Sequence, residues 1–180
     1  MFSNENKKQA DMCRFCWMCR HICPVAGATG SEGWGPRARG LMVSMIERGS
    51  AELDAEIAEA MYHCTMCDAC ANDCETGWKP TDFIREARMY CVANEVAPAA
   101  INTAIDNILT KGNIYGEALN EKLAARIEAL PETADVLVYI GQTGRCFGAD
   151  SAISFLNILD KAKVGYTTLK GEPPTGALLG

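Results

Sequence analysis

The chain has 180 residues, 48% hydrophobic and 22% charged, with a formal charge of −6. This composition excludes wholesale disorder, and the length allows one good core or two small ones. The acidic balance argues against nucleic-acid binding, and no window approaches the run of about 18 apolar residues needed to span a bilayer. The segment from Met1 to Asp11 is polar, with no apolar leader. Ten cysteines in such a chain point to a reducing compartment, not to a small secreted disulfide scaffold. The expectation is a soluble cytoplasmic protein, free or at the periphery of a membrane complex.

The first patterned feature along the chain is the run Cys13-x2-Cys16-x2-Cys19-x3-Cys23, repeated with the same spacing as Cys64-x2-Cys67-x2-Cys70-x3-Cys74. This is the bacterial ferredoxin spacing for [4Fe–4S] clusters, in which the fourth cysteine of each run ligates the other cluster. Three thiolates spaced by two residues can wrap three corners of one cube, and the fourth corner must be reached from elsewhere. On this logic Cys13, Cys16, Cys19 and Cys74 hold one cluster, and Cys64, Cys67, Cys70 and Cys23 hold the second. Cross-ligation would place the two clusters close enough for electrons to pass between them, so electron transfer is the expected function. Zinc also takes paired C-x2-C motifs, but a zinc ribbon needs two cysteines per arm and each arm here has four. Two four-thiolate zinc sites are the formal alternative. Each oxidised [4Fe–4S] centre would add a charge of about −2. Seven basic residues up to Arg48 (Lys7, Lys8, Arg14, Arg20, Arg37, Arg39 and Arg48) face four acids there. They are expected to offset the charge of the first cluster or to form a docking patch.

Between and after the runs the apolar spacing is helical. The Gly/Pro-rich stretch Gly27–Gly40 reads as loop, followed by a helix with Leu41, Met45 and Ile46 on its apolar face. Leu53, Ile57, Ala60 and Met61 form a stripe leading into Cys64. Pro80 and Thr81 open a helix with Ile84, Ala87 and Cys91 on one face, and Pro98 opens another with Ile101, Ile105, Ile108 and Leu109, stopped by Gly112. A further helix carries Leu119, Leu123, Ile127 and Leu130 and ends at Pro131. The pattern then changes. Val136–Ile140 is a continuous β-rich run of the kind buried on both faces of a sheet, and Val164–Leu169 is a second strand. Between them Asp150 can cap a helix bearing Ile153, Leu156 and Leu159. The expected fold is therefore mainly α with a small α/β unit: an α-helical two-cluster ferredoxin domain over 1–131 and a βαβ module over 132–180. One βαβ unit has exposed edges and too little core to stand alone.

With both runs and the βαβ unit in view, the chain resembles the iron–sulfur subunits with cysteine-rich CCG domains. These include the heterodisulfide reductase subunits and the electron-transfer subunits of anaerobic glycerol-3-phosphate, glycolate and lactate oxidation. The matching residues are the first run with Pro24, the stretch Gly35-Pro36-Arg37-Ala38-Arg39-Gly40-Leu41, and Tyr62-His63-Cys64. The Ile84-Arg85-Glu86-Ala87-Arg88 helix and the Val136–Gly141 strand match as well. The resemblance is specific over 13–96 and weaker beyond. It implies a hetero-oligomer whose partner is a flavoprotein dehydrogenase, an electron-transferring flavoprotein or a heterodisulfide-reductase-like assembly. Two departures stand out. The second run ends Cys74-Glu75 in place of Cys-Pro. The module also has Gly141-Gln142 and Pro174-Thr175-Gly176 where the family has its cluster-building cysteines, so the resemblance makes it a structural or docking module.

The remaining candidates read as follows. His21 and His63 flank cluster cysteines and are expected to pack or hydrogen-bond near them. Cys91 reads as a core residue, and Cys146 as a lone cysteine in a Gly-rich loop, open to a redox-sensing role. Trp17, Trp34 and Trp78 are expected to shield the clusters from water. The Gly141–Gly144 loop lacks the spacing of a dinucleotide site. The leading expectation is a non-catalytic electron-transfer subunit of an oxidoreductase. A thiol/disulfide reductase and an iron–sulfur sensor or structural protein are the alternatives.

Overall fold

A computed structural model describes residues 2–176, which are mainly helical. The chain divides into two compact units, one running through Asn102 and the other Thr103–Gly176.

In the first unit, α1 (Asn4–Asp11), α4 (Pro36–Glu47), α5 (Ala55–Tyr62) and α7 (Pro80–Ala93) pack around Phe2, Val43, Met61, Trp78, Phe83, Ile84 and Ala87. The helix starts are written in the sequence. Ser3 and Asp54 cap α1 and α5 by accepting from the amides of Asn6 and Ile57. Pro36 and Pro80 occupy first turns, where a missing N–H leaves nothing unpaired. As the spacing predicts, Ile84, Ala87 and Cys91 are buried on one face of α7.

Two expectations here are corrected. The stretch Gly27–Gly40 is not loop: α3 (Pro24–Thr29), a 3-10 turn at Glu32–Trp34 and the start of α4 fill most of it. Pro36 belongs to the stretch read as loop, yet it is a first-turn residue of α4, and Gly30 ends α3 at φ +67°. Leu41 and Met45 do not face the core; they are 48% and 38% exposed, while Arg39, Gly40 and Val43 point inward. The reason is Trp78, whose ring packs so closely on Gly40 that a Cβ there would lie 2.6 Å from it. Two short helices, α2 (Met18–Ile22) and α6 (Ala69–Asn72), carry the third cysteines of the two runs and pack on each other.

Helix α8 (Ala99–Lys111) crosses the division between units and ends at Gly112, φ +74°. Ile101 and Ala104 are buried on it, but Leu109 is 77% exposed and leaves the expected stripe. The second unit continues through α9 (Glu121–Glu128), β1 (Val136–Val138), α10 (Gln142–Cys146), α11 (Ala149–Lys161) and β2 (Tyr166–Thr168). The strands pair in parallel with Val136 opposite Tyr166, giving the strand–helix–strand unit. Leu123 and Ile127 of α9 share a core with Ala149, Leu156 and Tyr166. The division between compact units falls inside α8, and α9 shares the core of the second unit.

Strand β1 is not doubly buried: Val136 and Leu137 are 40% and 57% exposed. The sheet has only two strands among the described residues, so one face of β1 has no covering layer. Gly148, not Asp150, is the N-cap of α11, and Asp150 sits in its first turn. No described helix is long and apolar enough to cross a membrane.

Candidate metal centres

The two cysteine runs fold alike. In each, the first two cysteines lie in a loop, the third in a short helix (Cys19 in α2, Cys70 in α6) and the fourth just beyond it. Cys23 is the N-cap of α3, and its sulfur accepts from the amide of Ala26 at 3.5 Å. The backbones repeat a rare feature as well. Phe15 and Trp17 in the first loop, and Met66 and Asp68 in the second, have φ between +54° and +71°. These are matching positions, two and four residues after the first cysteine of each run. Non-glycine residues rarely adopt this left-handed conformation, which costs about 1–3 kcal/mol each when forced by surroundings. Alternating right- and left-handed residues turn successive N–H groups inward and form the concavities that bind anions, iron–sulfur clusters included. Met66 already directs its N–H to Cys64 Sγ, at 3.4 Å.

The runs bring their thiols together in two groups. One cavity is lined by Cys13, Cys16, Cys19, Cys74 and Cys70, the other by Cys23, Cys64, Cys67 and Cys70. The thiols feel each other strongly. Burial pushes Cys19 up to about 11, helped by the charges of Cys13, Cys16 and Cys74. Burial pushes Cys70 up to about 12, with further contributions from Cys64, Cys19, Cys67 and Cys23. For Cys74, burial acts upward but is outweighed by the Thr76 hydroxyl, 3.2 Å from the sulfur, and by the amides of Thr76, Gly77 and Trp78. The net shift of Cys74 is downward. Crowded thiols that resist ionisation in bare protein are what a cationic iron core relieves, since a coordinating thiol is deprotonated outright. Among the described residues, no three His, Cys, Asp or Glu side chains stand close enough to hold a single metal ion.

Among the described residues, the buried side-chain nitrogens lacking a hydrogen bond are Arg39 Nη2 and Trp78 Nε1. Arg39 lines the Cys23/Cys64/Cys67/Cys70 cavity, and Trp78 lines the Cys13/Cys16/Cys19/Cys74 cavity. Two thiol-rich cavities, one lined by Arg39 and the other by Trp78, have a donor chemistry that fits a sulfide-bearing anionic cluster.

Basic residues are distributed differently from the sequence expectation. Arg14 and Arg37 line the first cavity, but Arg39 lines the second. Arg37 lies 3.7 Å from the Trp17 ring centre and 5.7 Å from that of Phe15. Sequence reasoning passed over Arg88, which is 5% exposed. Its Nε and Nη2 donate to Met61 O at 3.1 and 3.0 Å, and Nη2 also donates to Cys64 O at 2.5 Å. Its position four residues after Ile84 and three before Cys91, on the otherwise apolar buried face of α7, was the available signal.

The other candidates fall into place. His63 donates from Nδ1 to Glu59 O at 2.8 Å and stacks on Trp34, ring centres 4.2 Å apart; His21 is exposed. Trp78 is buried, whereas Trp17 is 42% exposed and shields only partly. Cys91 is fully buried, and burial pushes its thiol up to about 11. Cys146 is half-buried, and burial followed by the Glu117 charge raises its thiol, the opposite of an activated nucleophile. The loop after β1 has its donors filled: Glu172 accepts from the amides of Ile140 and Gly141, each at 2.8 Å.

Residues 9–78 match the family model described as a 4Fe-4S dicluster domain. No curated protein and no solved structure matches the chain. The match covers both cysteine runs; it assigns 4Fe–4S clusters to this part of the chain and points to electron transfer.

Proposed function

We propose that this chain is an electron-transfer iron–sulfur subunit of an oxidoreductase assembly. In this reading Cys13, Cys16, Cys19 and Cys74 hold one [4Fe–4S] cluster, and Cys64, Cys67, Cys70 and Cys23 hold the other. One observation supports it: one cavity is lined by Cys13, Cys16 and Cys19 of the first run with Cys74 and Cys70 of the second, and the other by Cys64, Cys67 and Cys70 of the second run with Cys23 of the first. When bound, such clusters supply one-electron carriers. The chain's own residues hold them, keep water from one side and set the local charge. Met61, Trp78, Phe83 and Ile84 back the sites with apolar surface. Arg88 fixes the Cys64 backbone, and the amides after Cys74 stabilise its thiolate.

The partner in this reading is a flavoprotein dehydrogenase, an electron-transferring flavoprotein or a heterodisulfide-reductase-like assembly, within a reducing cytoplasmic compartment. Support comes from the resemblance over 13–96 and from exposure. Cys16 and Cys67 are both exposed, with Phe15, Trp17 and Met18 exposed around the former. The second unit, a strand–helix–strand fold with one half-buried cysteine, serves as a docking module in a hetero-oligomer. A disulfide-reducing role finds no support there, since the Cys146 thiol is shifted away from reactivity.

The test is redox cycling of the anaerobically reconstituted protein with photoreduced flavin, followed by loss and return of visible absorbance. Reversible one-electron reduction of both clusters by flavin is expected. Clusters that cannot be cycled would favour the sensor or structural alternative.

A further inference from the structure

Arg39, with its forked guanidinium, is 1% exposed inside the first unit. Its Nε donates to Ala60 O at 2.6 Å, but Nη2 has no partner. None of the ion pairs among the described residues includes it. A buried cation with neither counter-charge nor full hydrogen bonding is among the least favourable arrangements in a protein interior. Trp78, also 1% exposed, leaves its indole N–H equally unpaired while its ring packs on Phe83. Arg39 lines the cavity of Cys23, Cys64, Cys67 and Cys70, and Trp78 lines the cavity that holds Cys13, Cys16, Cys19 and Cys74. The only other buried side-chain atom without a partner among the described residues, Thr168 Oγ1, belongs to β2 in the second unit.

The two walls are unequal. The cavity of Cys23, Cys64, Cys67 and Cys70 is lined by the buried Arg39 together with Asp68, whose carboxylate accepts from the Thr81 hydroxyl, and Arg88 interacts electrostatically with both Cys64 and Arg39. The cavity of Cys13, Cys16, Cys19 and Cys74 has a neutral indole as its buried donor. Its own arginines, Arg14 and Arg37, are accompanied there by Asp73 and Glu75. Hydrogen bonds to sulfur, net charge and solvent exposure are the levers that set a cluster's potential. A buried cation donating to sulfur stabilises the reduced, more negative state more than a neutral donor does.

We propose that Arg39 and Trp78 are the positioning donors that set the two clusters at unequal potentials. Arg39 Nη2–H serves the cluster of Cys23, Cys64, Cys67 and Cys70, and Trp78 Nε1–H serves the other. The Arg39 cluster is therefore reduced first, and an electron entering at the Cys13/Cys16/Cys19/Cys74 cluster settles on it. The transfer moves one electron with no bond made or broken, supplied and removed by the redox partner of the preceding section. The inference rests on that two-cluster reading.

The experiment is an EPR-monitored redox titration of the full reconstituted chain, beside iron and sulfide counts, for the parent, Arg39→Met and Trp78→Phe. A Cys67→Ser protein labels the signal of its own cluster by altering its g-values. Arg39→Met is expected to lower the potential of the first-reduced cluster by a tenfold or larger change in the reduction equilibrium, about 59 mV for one electron. Trp78→Phe is expected to lower the other cluster by about threefold and to leave the first in place. Loaded variants with both potentials unchanged would overturn the assignment, as would a Cys67→Ser label on the later-reduced cluster. If Arg39→Met loses iron, Arg39→Lys, which keeps the charge but not the forked donor, is read instead: a fall of about threefold supports the role and no change overturns it. A parent chain that binds fewer than two clusters overturns the two-cluster reading itself, and this inference with it.

Discussion

Cys70 lines both cysteine-rich cavities and lies within electrostatic reach of Cys19, so the third cysteines of the two runs meet between the sites. The helices that carry them, α2 and α6, are in contact. Each run ends by sending its fourth cysteine across this junction. Cys23→Ser should therefore injure the cluster built by the second run and spare the one built by the first. Iron is expected to fall from about eight toward about four to seven per chain, with the surviving [4Fe–4S] signal unchanged. Loss of the first-run signal would show that each run closes its own cluster.

Gly40→Ala is expected to destabilise the first unit by about 1–3 kcal/mol, because the new Cβ would meet the Trp78 ring at 2.6 Å. The same displacement should broaden the EPR signal of the cluster beside Trp78. Thermal unfolding and EPR on one sample measure both effects. An unchanged melting temperature would mean that Trp78 moves aside freely.

Leu123→Ala should cost the second unit about 2–5 kcal/mol, since Leu123 is fully buried against Leu156 and Tyr166. The iron count should stay the same. Circular dichroism melts beside iron analysis would reveal any dependence of the clusters on this core.

Cys91 supplies the pH dependence. Its thiol is raised above its ordinary value of 9.0 to about 11, so the folded state holds this proton more tightly than the unfolded one. A raised folded value gives stability that is complete below about pH 9 and is lost as pH rises through about 11. Cys91→Ala should remove that alkaline decline at a cost of about 1 kcal/mol at neutral pH. In the loaded parent, a thiol reagent should reach the half-buried Cys146 and leave Cys91 untouched until unfolding.

Local chemistry made much of this molecule legible. The cysteine spacing pointed to clusters because the spacing itself reflects how a short loop wraps a cube. Pro80 with its buried 3–4 periodicity, and the two strands read from their own β-rich runs, follow equally local rules. What failed depended on neighbours far along the chain. Leu41 and Met45 face out because Trp78 takes the space at Gly40. Leu137 is exposed because no layer covers its face of a two-stranded sheet. Arg39 was counted with the first cluster because it is near it in sequence; the helix turns it toward the second cavity. The left-handed residues at Phe15, Trp17, Met66 and Asp68 left no trace in residue type, since none is glycine.

The central claim is that eight cysteines hold two neighbouring [4Fe–4S] clusters. Anaerobic purification, iron and sulfide counts, and EPR before and after reduction test it most directly. About eight irons and eight sulfides per chain, with spin-coupled signals on reduction, are predicted. Zinc in place of iron, or a single uncoupled cluster, would contradict it.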